Sequence, residues 1–184
     1  MEAKILLTTS RRPTRRIRTF LHDLNAVIPG SFRVNRGKAS VDDLADEAAW
    51  RGISKVIIVD RWKGGPGRIR LFQLTETKLK EVPPRIYIRG IKLQREFGTK
   101  ERPKINLLAA RQPSFKGHDA ERFVRSLSEF LEVPLLSPHE TLEQGAEMRL
   151  TLNEEDQITL TFYLFPKGRE VGPRIRVSHL IWSV

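Results

Sequence analysis

The chain has 184 residues, a formal net charge of +11 and no cysteine. The lack of cysteine excludes disulfide frameworks, Cys-ligated zinc sites and thiol nucleophiles. Because no apolar run approaches the roughly 18 residues of a membrane-spanning helix, and because the N-terminus is not patterned as a signal peptide, we expect a soluble cytoplasmic protein with no membrane partner.

The first fifty residues alternate between strand and helix patterns. A short apolar run at residues 5–8 predicts a buried strand, and apolar residues at helical spacing over 17–28 predict a helix that ends at Pro29. The alternation over 32–38 indicates an extended segment. Ser40, with Asp43 three residues later, forms a capping-box pattern for a second helix that continues to residue 50.

Three more strands are predicted before residue 100. Residues 55–60 are apolar on both faces, which is typical of a central strand in a covered sheet. Strands at 69–74 and 85–93 follow, and the polar stretch 97–102 indicates a seam between two halves of the chain.

Segments of these two halves match one another. Residues 5–14 and 105–114 share Ile, Leu, Arg and Pro at four common offsets, and a helical pattern follows each. Residues 66–71 are echoed by 172–177, each after a predicted strand. We therefore predict an α/β fold with an internal duplication: a basic N-terminal half, 1–98, and a near-neutral C-terminal half, 99–184.

Nearly all of the positive charge lies in the first half. Residues 1–100 hold 22 Lys and Arg against 10 Asp and Glu, whereas 101–184 hold 11 against 12. Arg outnumbers Lys 22 to 11, which favours bidentate contacts with phosphate. The run from Arg11 to Arg18 has no acidic residue before Asp23, so a polyanionic partner, most commonly nucleic acid, explains it better than an ion-pair network.

No residue pattern indicates catalysis or a metal site. Ser10 has no identifiable base. The segment Gly64-Gly65-Pro66-Gly67 lacks the Gly-Lys-Ser/Thr ending of a nucleotide-binding loop, so it is either a simple turn or a turn that also touches RNA backbone. We expect no enzyme activity, cofactor, metal or small-molecule substrate. The histidines, which lack metal-ligand spacing, are His22, His118, His139 and His179.

Four blocks of the sequence, in order, carry a family resemblance. They are Thr8-Thr9-Ser10-Arg11-Arg12-Pro13-Thr14, Pro29-Gly30-Ser31-Phe32-Arg33-Val34-Asn35-Arg36-Gly37, the strand 56–60 with its Gly-Pro-Gly turn, and Glu170-Val171-Gly172-Pro173-Arg174. Over nearly the whole chain they resemble the signature blocks of the Brix domain family, and the bare length resembles its archaeal single-domain members. The chain departs from the family where Asp60-Arg61-Trp62 replaces a His-rich stretch, and where a Pro-rich continuation is not recognisable at 74–82.

The resemblance implies a non-catalytic ribosome-biogenesis factor. Relatives bind RNA and partner proteins during pre-ribosomal RNA processing and subunit assembly, and the chain is most similar to the branch in the small-subunit processome. A eukaryotic relative would be nucleolar. The family's fold resembles two copies of the anticodon-binding domain of class IIa aminoacyl-tRNA synthetases.

The residues predict that the basic face binds ribosomal or pre-ribosomal RNA through its backbone and shape. Arg11 has a counterpart in Arg111, which favours a scaffold role, whereas Arg12 and its helical neighbours have none. Phe32, Trp50 and Trp62 either stack on bases or belong to the core. The candidate RNA-binding residues are Arg11, Arg12, Arg15, Arg16, Arg18, Arg33, Arg36, Lys38, Lys63 and Arg68.

Two other functions stay open at this point. One is a protein-interaction scaffold in a ribonucleoprotein, with incidental RNA contact and with ribosome-assembly proteins as partners. Its acidic docking surface would comprise Glu140, Glu143, Glu147, Glu154, Glu155 and Asp156. The other is an RNA-modifying or nucleotide-using enzyme, which a turnover assay with nucleoside triphosphates would detect.

Overall fold

A computed structural model describes residues 4–98, 102–117 and 119–184. These residues form eleven strands, three α-helices and a 3-10 turn at Gln94–Phe97. The predicted mixed α/β class is confirmed. His118 and part of the predicted seam, residues 99–101, lie outside the described residues. The helices are α1 (Arg15–Val27), α2 (Val41–Trp50) and α3 (Ala120–Leu131).

The strands fall into an early and a late group along the chain. The early strands are β1 (Ile5–Thr9), β2 (Ser31–Arg33), β3 (Lys55–Trp62), β4 (Gly65–Thr75) and β5 (Lys78–Lys92). The late strands are β6 (Leu108–Arg111), β7 (Leu135–Leu136), β8 (Gly145–Leu152), β9 (Ile158–Phe165), β10 (Arg169–Glu170) and β11 (Arg174–Ile181).

The chain forms two compact units, and neither is a single continuous stretch. The N-terminal unit comprises the residues up to Asn25, then Gly30–Ile88, then His179–Val184. The C-terminal unit comprises Ala26–Pro29 and Arg89–Ser178. Each unit therefore contains a short segment that lies far from the rest of the unit in the sequence.

In the N-terminal unit the strand order is β2-β1-β3-β4-β5. β1 pairs in parallel with β2 on one side and β3 on the other, whereas β3, β4 and β5 are antiparallel neighbours. The apolar stripe of α1 is buried as its spacing predicts, with Ile17 and Phe20 at 0% exposure. Leu44 and Ala48 of α2 pack in one cluster with strand residues that include Leu6. The helices α1 and α2 thus cover the parallel strands β1 and β3, which are buried.

In the C-terminal unit the strand order is β7-β6-β8-β9-β11, with β10 beside β9. β6 pairs in parallel with β7 and β8, and β8 and β11 each pair with β9 antiparallel. α3, whose Phe123 is 0% exposed, connects β6 to β7. The order and directions of these strands match those of β2-β1-β3-β4-β5 in the N-terminal unit.

Local sequence signals locate most of these elements, and two expectations need correction. The capping box at the start of α2 is present, because Asp43 N donates to Ser40 Oγ at 3.0 Å and Ser40 N donates to Asp43 Oδ2 at 2.7 Å. The extended segment expected over 32–38 is a strand only at Ser31–Arg33, because a turn closes where Ala39 N donates to the Arg36 carbonyl.

The second correction concerns the echo between residues 66–71 and 172–177. The first segment lies in β4, next to β3, whereas the second leads into β11, which takes the place of β5 in the strand order. The sequence likeness between these segments therefore does not identify equivalent strands.

Candidate nucleic-acid interface

The carboxyl end of β1 is a topological switch point of the N-terminal unit. From β1 the chain crosses through α1 to β2 on one side, and then through α2 to β3 on the other side. The loops that follow parallel strands meet at one edge of a sheet, and such edges are the usual ligand sites of α/β folds. The loops after β1, β2 and β3 hold five of the ten predicted RNA-binding residues, and the first turn of α1 holds three more.

Hydrogen bonds join these loops to one another. Arg11 Nε donates to the Ala39 carbonyl at 3.4 Å. The loop after β1 is also bound to the β3–β4 hairpin, since Arg61 N donates to Ser10 Oγ at 3.0 Å and Arg61 Nη1 donates to the Arg12 carbonyl at 3.3 Å. Ser10 therefore has a structural role in linking the loops.

A further bond ties the hairpin to the start of α1. Thr14 Oγ1 donates to the Gly64 carbonyl at 2.8 Å. Lys63 and Gly64 form the hairpin turn, because Trp62 already pairs with Gly65. The segment from Gly65 to Gly67 thus belongs to β4 and does not form a separate glycine-rich loop.

The predicted RNA-binding residues differ in their exposure. Arg16, Arg33 and Arg68 are half-buried, and Arg36 is buried at 8% exposure. The exposed ones surround the carboxyl end of β1 and the first turns of α1. They are Arg11, Arg12, Arg15, Arg18, Lys38 and Lys63.

Two of the exposed cations have an unusual backbone conformation. Arg12 has a φ of 55° and Lys63 a φ of 45°, a region that costs a residue with a side chain about 1–2 kcal/mol. Strained backbone of this kind tends to occur at functional sites, where neighbouring contacts hold it. Here the bonds of Arg61 and Thr14 to these two loops supply such contacts.

Arg36 supports the interface from below its surface. Its Nε donates to the Ala39 carbonyl at 2.7 Å, the same oxygen that accepts from Arg11. Burial lowers the pKa of Arg36, and the charges of Arg11 and Arg70 lower it further. A guanidinium that is buried in this way positions the turn after β2 and offers little surface to a partner.

Arg68 is held by an ion-paired carboxylate. Asp60, at the end of β3, accepts bonds from Arg68 Nε and, at 2.7 and 3.0 Å, from Nε and Nη2 of Arg70. Burial lowers the pKa of Arg68, but hydrogen bonds with Asp60 and Tyr87 outweigh that effect and raise it. Asp60 thus compensates two arginines of β4, while the exposed cations of the loops stay outside this network.

The three aromatic residues named from the sequence are all exposed. Trp50 is 79% exposed, Trp62 67% and Phe32 37%. Arg51 stacks over Phe32 at 4.4 Å and over Trp50 at 5.3 Å, and these three side chains form one cluster. Trp62 lies instead at the hairpin, beside the basic loops.

Arg61 is absent from the candidate RNA-binding residues named from the sequence, and Trp62 was predicted only as either a base-stacking residue or a core residue. Both follow the buried strand 55–60, at the same end as the loops after β1 and β2. That strand was recognised, so its carboxyl end could have identified both residues. They stand where the chain departs from the Brix signature.

The corresponding position of the C-terminal unit has a different chemistry. Arg111, at the end of β6, donates from Nε and Nη2 to Glu147 at 2.7 and 2.6 Å. Arg149 donates to the same carboxylate, which is 0% exposed. Glu147 therefore cannot belong to an acidic docking surface, because it is buried between two arginines.

The described part of the chain contains neither a metal-binding cluster nor a helix that could span a membrane. Among residues 4–98, 102–117 and 119–184, no group of three or more His, Asp or Glu side chains could hold a metal ion. No helix within those residues is long and apolar enough to span a membrane.

Comparison with known proteins identifies the family. No family model matches the chain. A probable Brix domain-containing ribosomal biogenesis protein of Aeropyrum pernix is 41% identical over 177 residues, which cover 94% of this chain and 93% of that protein. A protein of the same description from Thermococcus kodakarensis is 42% identical over 101 residues, 55% of this chain and 48% of the relative, so that match spans about half the relative's length.

A solved structure is similar over the same extent. The crystal structure of a probable ribosomal biogenesis protein from Aeropyrum pernix K1 superimposes with a TM-score of 0.79 and 31% identity, and the match covers 96% of each chain. The sequence and structural matches both extend over nearly all of this chain. The chain therefore belongs to the Brix domain-containing ribosomal biogenesis proteins.

Proposed function

We propose that this protein is a cytoplasmic ribosome-biogenesis factor that binds ribosomal or pre-ribosomal RNA without catalysing a reaction, and so assists RNA processing and subunit assembly. Family membership supports the role in ribosome biogenesis. One observation supports RNA binding above all: three loops and the start of α1 gather exposed cations at the carboxyl end of β1, while Asp60 is already paired with Arg68 and Arg70.

The exposed cations suit the phosphate backbone of a folded RNA. Arg12, Arg15 and Arg18 flank the start of α1, and Lys38 and Lys63 extend the surface across the two neighbouring loops. If about six phosphates are neutralised, affinity should fall by about a thousandfold between 50 and 200 mM salt. Backbone contacts position an RNA without reading its bases, so shape is the main determinant of this binding.

We also propose that the two units arose by duplication and resemble anticodon-binding domains of class IIa aminoacyl-tRNA synthetases. The matching strand orders around β1 and β6 support the duplication, as does the common Arg-x-Pro sequence at Arg11 and Arg111. In this view the fold is common to both units, and the exposed cations of the N-terminal unit carry the RNA-binding role.

The test is a matched pair of charge reversals. Arg12→Glu with Arg15→Glu removes two exposed cations beside α1, and Arg122→Glu with Arg125→Glu makes the same charge change on exposed positions of α3. Filter binding with a structured ribosomal RNA fragment at about 100 mM salt should show at least a tenfold loss for the first pair only. Both variants should melt within a few degrees of the parent protein.

Equal loss in the two variants would mean that affinity follows net charge alone and that the surface is misassigned. No retained RNA at any salt concentration would favour the scaffold function. The exposed acidic residues Glu140, Glu143, Glu154, Glu155 and Asp156 would then be its docking surface.

A further inference from the structure

Trp62 exposes a large aromatic ring to solvent at the β3–β4 hairpin. It ends β3 and is 67% exposed. Asp60, two residues before it, is 8% exposed, so the chain passes from core to solvent within two residues. An exposed aromatic ring beside a basic surface is a typical element of RNA-binding sites, where unpaired bases stack on it.

Trp62 packs closely against the backbone of β4 at Gly67. A Cβ placed on Gly67 would lie 2.1 Å from the Trp62 Cβ and 3.2 Å from its Cα. Any residue other than glycine would therefore displace Trp62 or separate the two strands. The pairing register also shifts between Asp60 and Arg61, which increases the local twist of the hairpin.

The hairpin that carries Trp62 is fixed to the basic loops. Arg61 N donates to Ser10 Oγ, and Thr14 Oγ1 donates to the Gly64 carbonyl, on either side of the tryptophan. Within the hairpin, Asp60 of β3 forms ion pairs with Arg68 and Arg70 of β4. A ring on a fixed hairpin loses little conformational freedom when a base stacks on it, which favours binding.

Charge distinguishes Trp62 from the other exposed tryptophan of comparable accessibility. Trp62 stands between Arg61 and Lys63 in a hairpin bonded to the Arg12 carbonyl. Trp50 ends a helix whose exposed side carries Asp42 and Asp46, and Arg51 already stacks over its ring. RNA approaching Trp50 would meet carboxylates and an arginine, Arg51, that is already paired with Glu47, whereas RNA at Trp62 would meet cations.

We infer that Trp62 is a stacking platform for one unpaired base of the bound RNA, while Arg12, Arg61 and Lys63 contact the phosphates beside that base. This inference rests on the proposed RNA-binding function and makes it more specific. The preferred ligand is then a paired RNA segment that adjoins an unpaired nucleotide, such as a bulge or a loop, and not a continuous duplex.

The experiment compares two RNAs and two matched variants of the full chain. The RNAs are a 12-base-pair duplex and the same duplex with a single unpaired adenosine in one strand. Trp62→Leu should lower affinity for the bulged RNA by about tenfold and for the plain duplex by less than twofold. Trp50→Leu removes a ring that is even more exposed and should change neither affinity, and Trp62→Phe should retain most of the binding to the bulged RNA.

Fluorescence gives a second measurement that does not depend on affinity. In a Trp50→Phe, Trp182→Phe background the remaining emission comes from Trp62, because the chain has three tryptophans. The bulged RNA at saturation should quench this emission, and the plain duplex should not. Such quenching reports contact between the indole and a base, which a purely structural role of Trp62 would not produce.

Three outcomes would overturn the inference, and they are distinguishable. If Trp62→Leu lowers the affinity for both RNAs equally, Trp62 has a general role in the shape of the hairpin. If the parent and Trp62→Leu bind both RNAs with the same affinity, and the RNA does not quench Trp62, then Trp62 is not a stacking platform. The proposed RNA-binding function would remain. Failure of the parent protein to bind either RNA would refute both the proposed function and this inference.

Discussion

An arginine lies at the carboxyl end of both β1 and β6, but one is exposed and the other is paired with a buried carboxylate. Arg11 lies two residues after β1 and Arg111 is the last residue of β6, and each precedes a proline by two residues. Arg111 is neutralised by Glu147, and its Nη1 also donates to the Ser137 and Glu140 carbonyls at 2.6 Å each. Arg11 remains exposed and donates to one backbone carbonyl, that of Ala39.

The difference originates in one buried position of the neighbouring strand. Thr9 pairs in register with Val59, and Ala109, one hundred residues later, pairs with Glu147. Both Val59 and Glu147 are 0% exposed, but only Glu147 carries a charge. A valine in one unit and a glutamate in the other thus decide whether the arginine at the strand end is available to a partner.

The largest expected effect comes from removing the charge of Glu147. Glu147→Gln leaves Arg111 and Arg149 without their buried counter-ion, and removal of one partner from a buried pair costs about 3–5 kcal/mol. We expect a loss of about 3 kcal/mol in the free energy of unfolding, measured by urea denaturation. A loss below ~1 kcal/mol would show that Arg111 does not depend on this carboxylate.

Acid should reproduce part of this loss in the parent protein. Burial raises the pKa of Glu147, but hydrogen bonds from Arg111 and Arg149 outweigh it and hold the pKa below its ordinary value. The native carboxylate is thus the stronger acid, so its contribution is fully present above the unfolded pKa of about 4.3 and is lost as the pH falls through the native pKa.

The measurement is the difference in unfolding free energy between the parent and Glu147→Gln at several pH values. This difference should be constant from pH 7 to about pH 5 and should shrink below about pH 4. The subtraction cancels the contribution of Glu170, whose pKa is also lowered: burial raises it, and bonds from Arg174 and Thr161 outweigh that effect. A difference that does not change with acid would contradict the assigned ion pair.

A smaller effect on stability is expected from substitutions at Arg12 and Gln112, the residues that follow Arg11 and Arg111. Arg12 has a φ of 55°, which glycine adopts without strain, so Arg12→Gly should raise the free energy of unfolding by up to about 1 kcal/mol. The same change should lower affinity for structured RNA, because an exposed cation is lost. Stability would then improve at the cost of binding, as is common at strained functional positions.

Gln112 is the matched control for this substitution. It follows Arg111 as Arg12 follows Arg11, and its N–H donates to the Leu136 carbonyl at 2.9 Å. Gln112→Gly should lower stability by roughly 0.5–1 kcal/mol through chain entropy and leave RNA affinity unchanged. Thermal melts and filter binding on both variants separate backbone strain from charge. The reverse ranking of stabilities would disprove stored strain at Arg12.

Local sequence signals were sufficient for most of the fold. The stripe of α1, the Ser40–Asp43 cap of α2 and the apolar run of β3 each depend on residues close in sequence, so their structures could be predicted directly. β2 was predicted too long, because the bond that closes its turn joins Ala39 to Arg36, and no alternation pattern reports such a bond.

The candidate site was less predictable, because contacts distant in sequence determine which charges are free. Arg11 to Arg18 was recognised as a basic run, but the burial of Arg36 and the capture of Arg68 by Asp60 depend on folding. The role of Glu147 depends on Arg111, 36 residues earlier in the chain. Sequence composition identified the basic unit, and the three-dimensional contacts divide its cations into exposed and engaged groups.

The noncontiguous composition of the two units limits how this protein can be made and dissected. Because His179–Val184 belong to the N-terminal unit, and because the Tyr87 ring stacks on the His179 ring with centroids 4.3 Å apart, this unit lacks one piece until residues 179–184 have been synthesised. A gene fragment that stops near residue 98 would omit that piece, and the complementary fragment would lack Ala26–Pro29. Residues 1–98 alone therefore leave the N-terminal unit incomplete, so the proposed RNA-binding surface is best tested in a chain that includes residues 179–184.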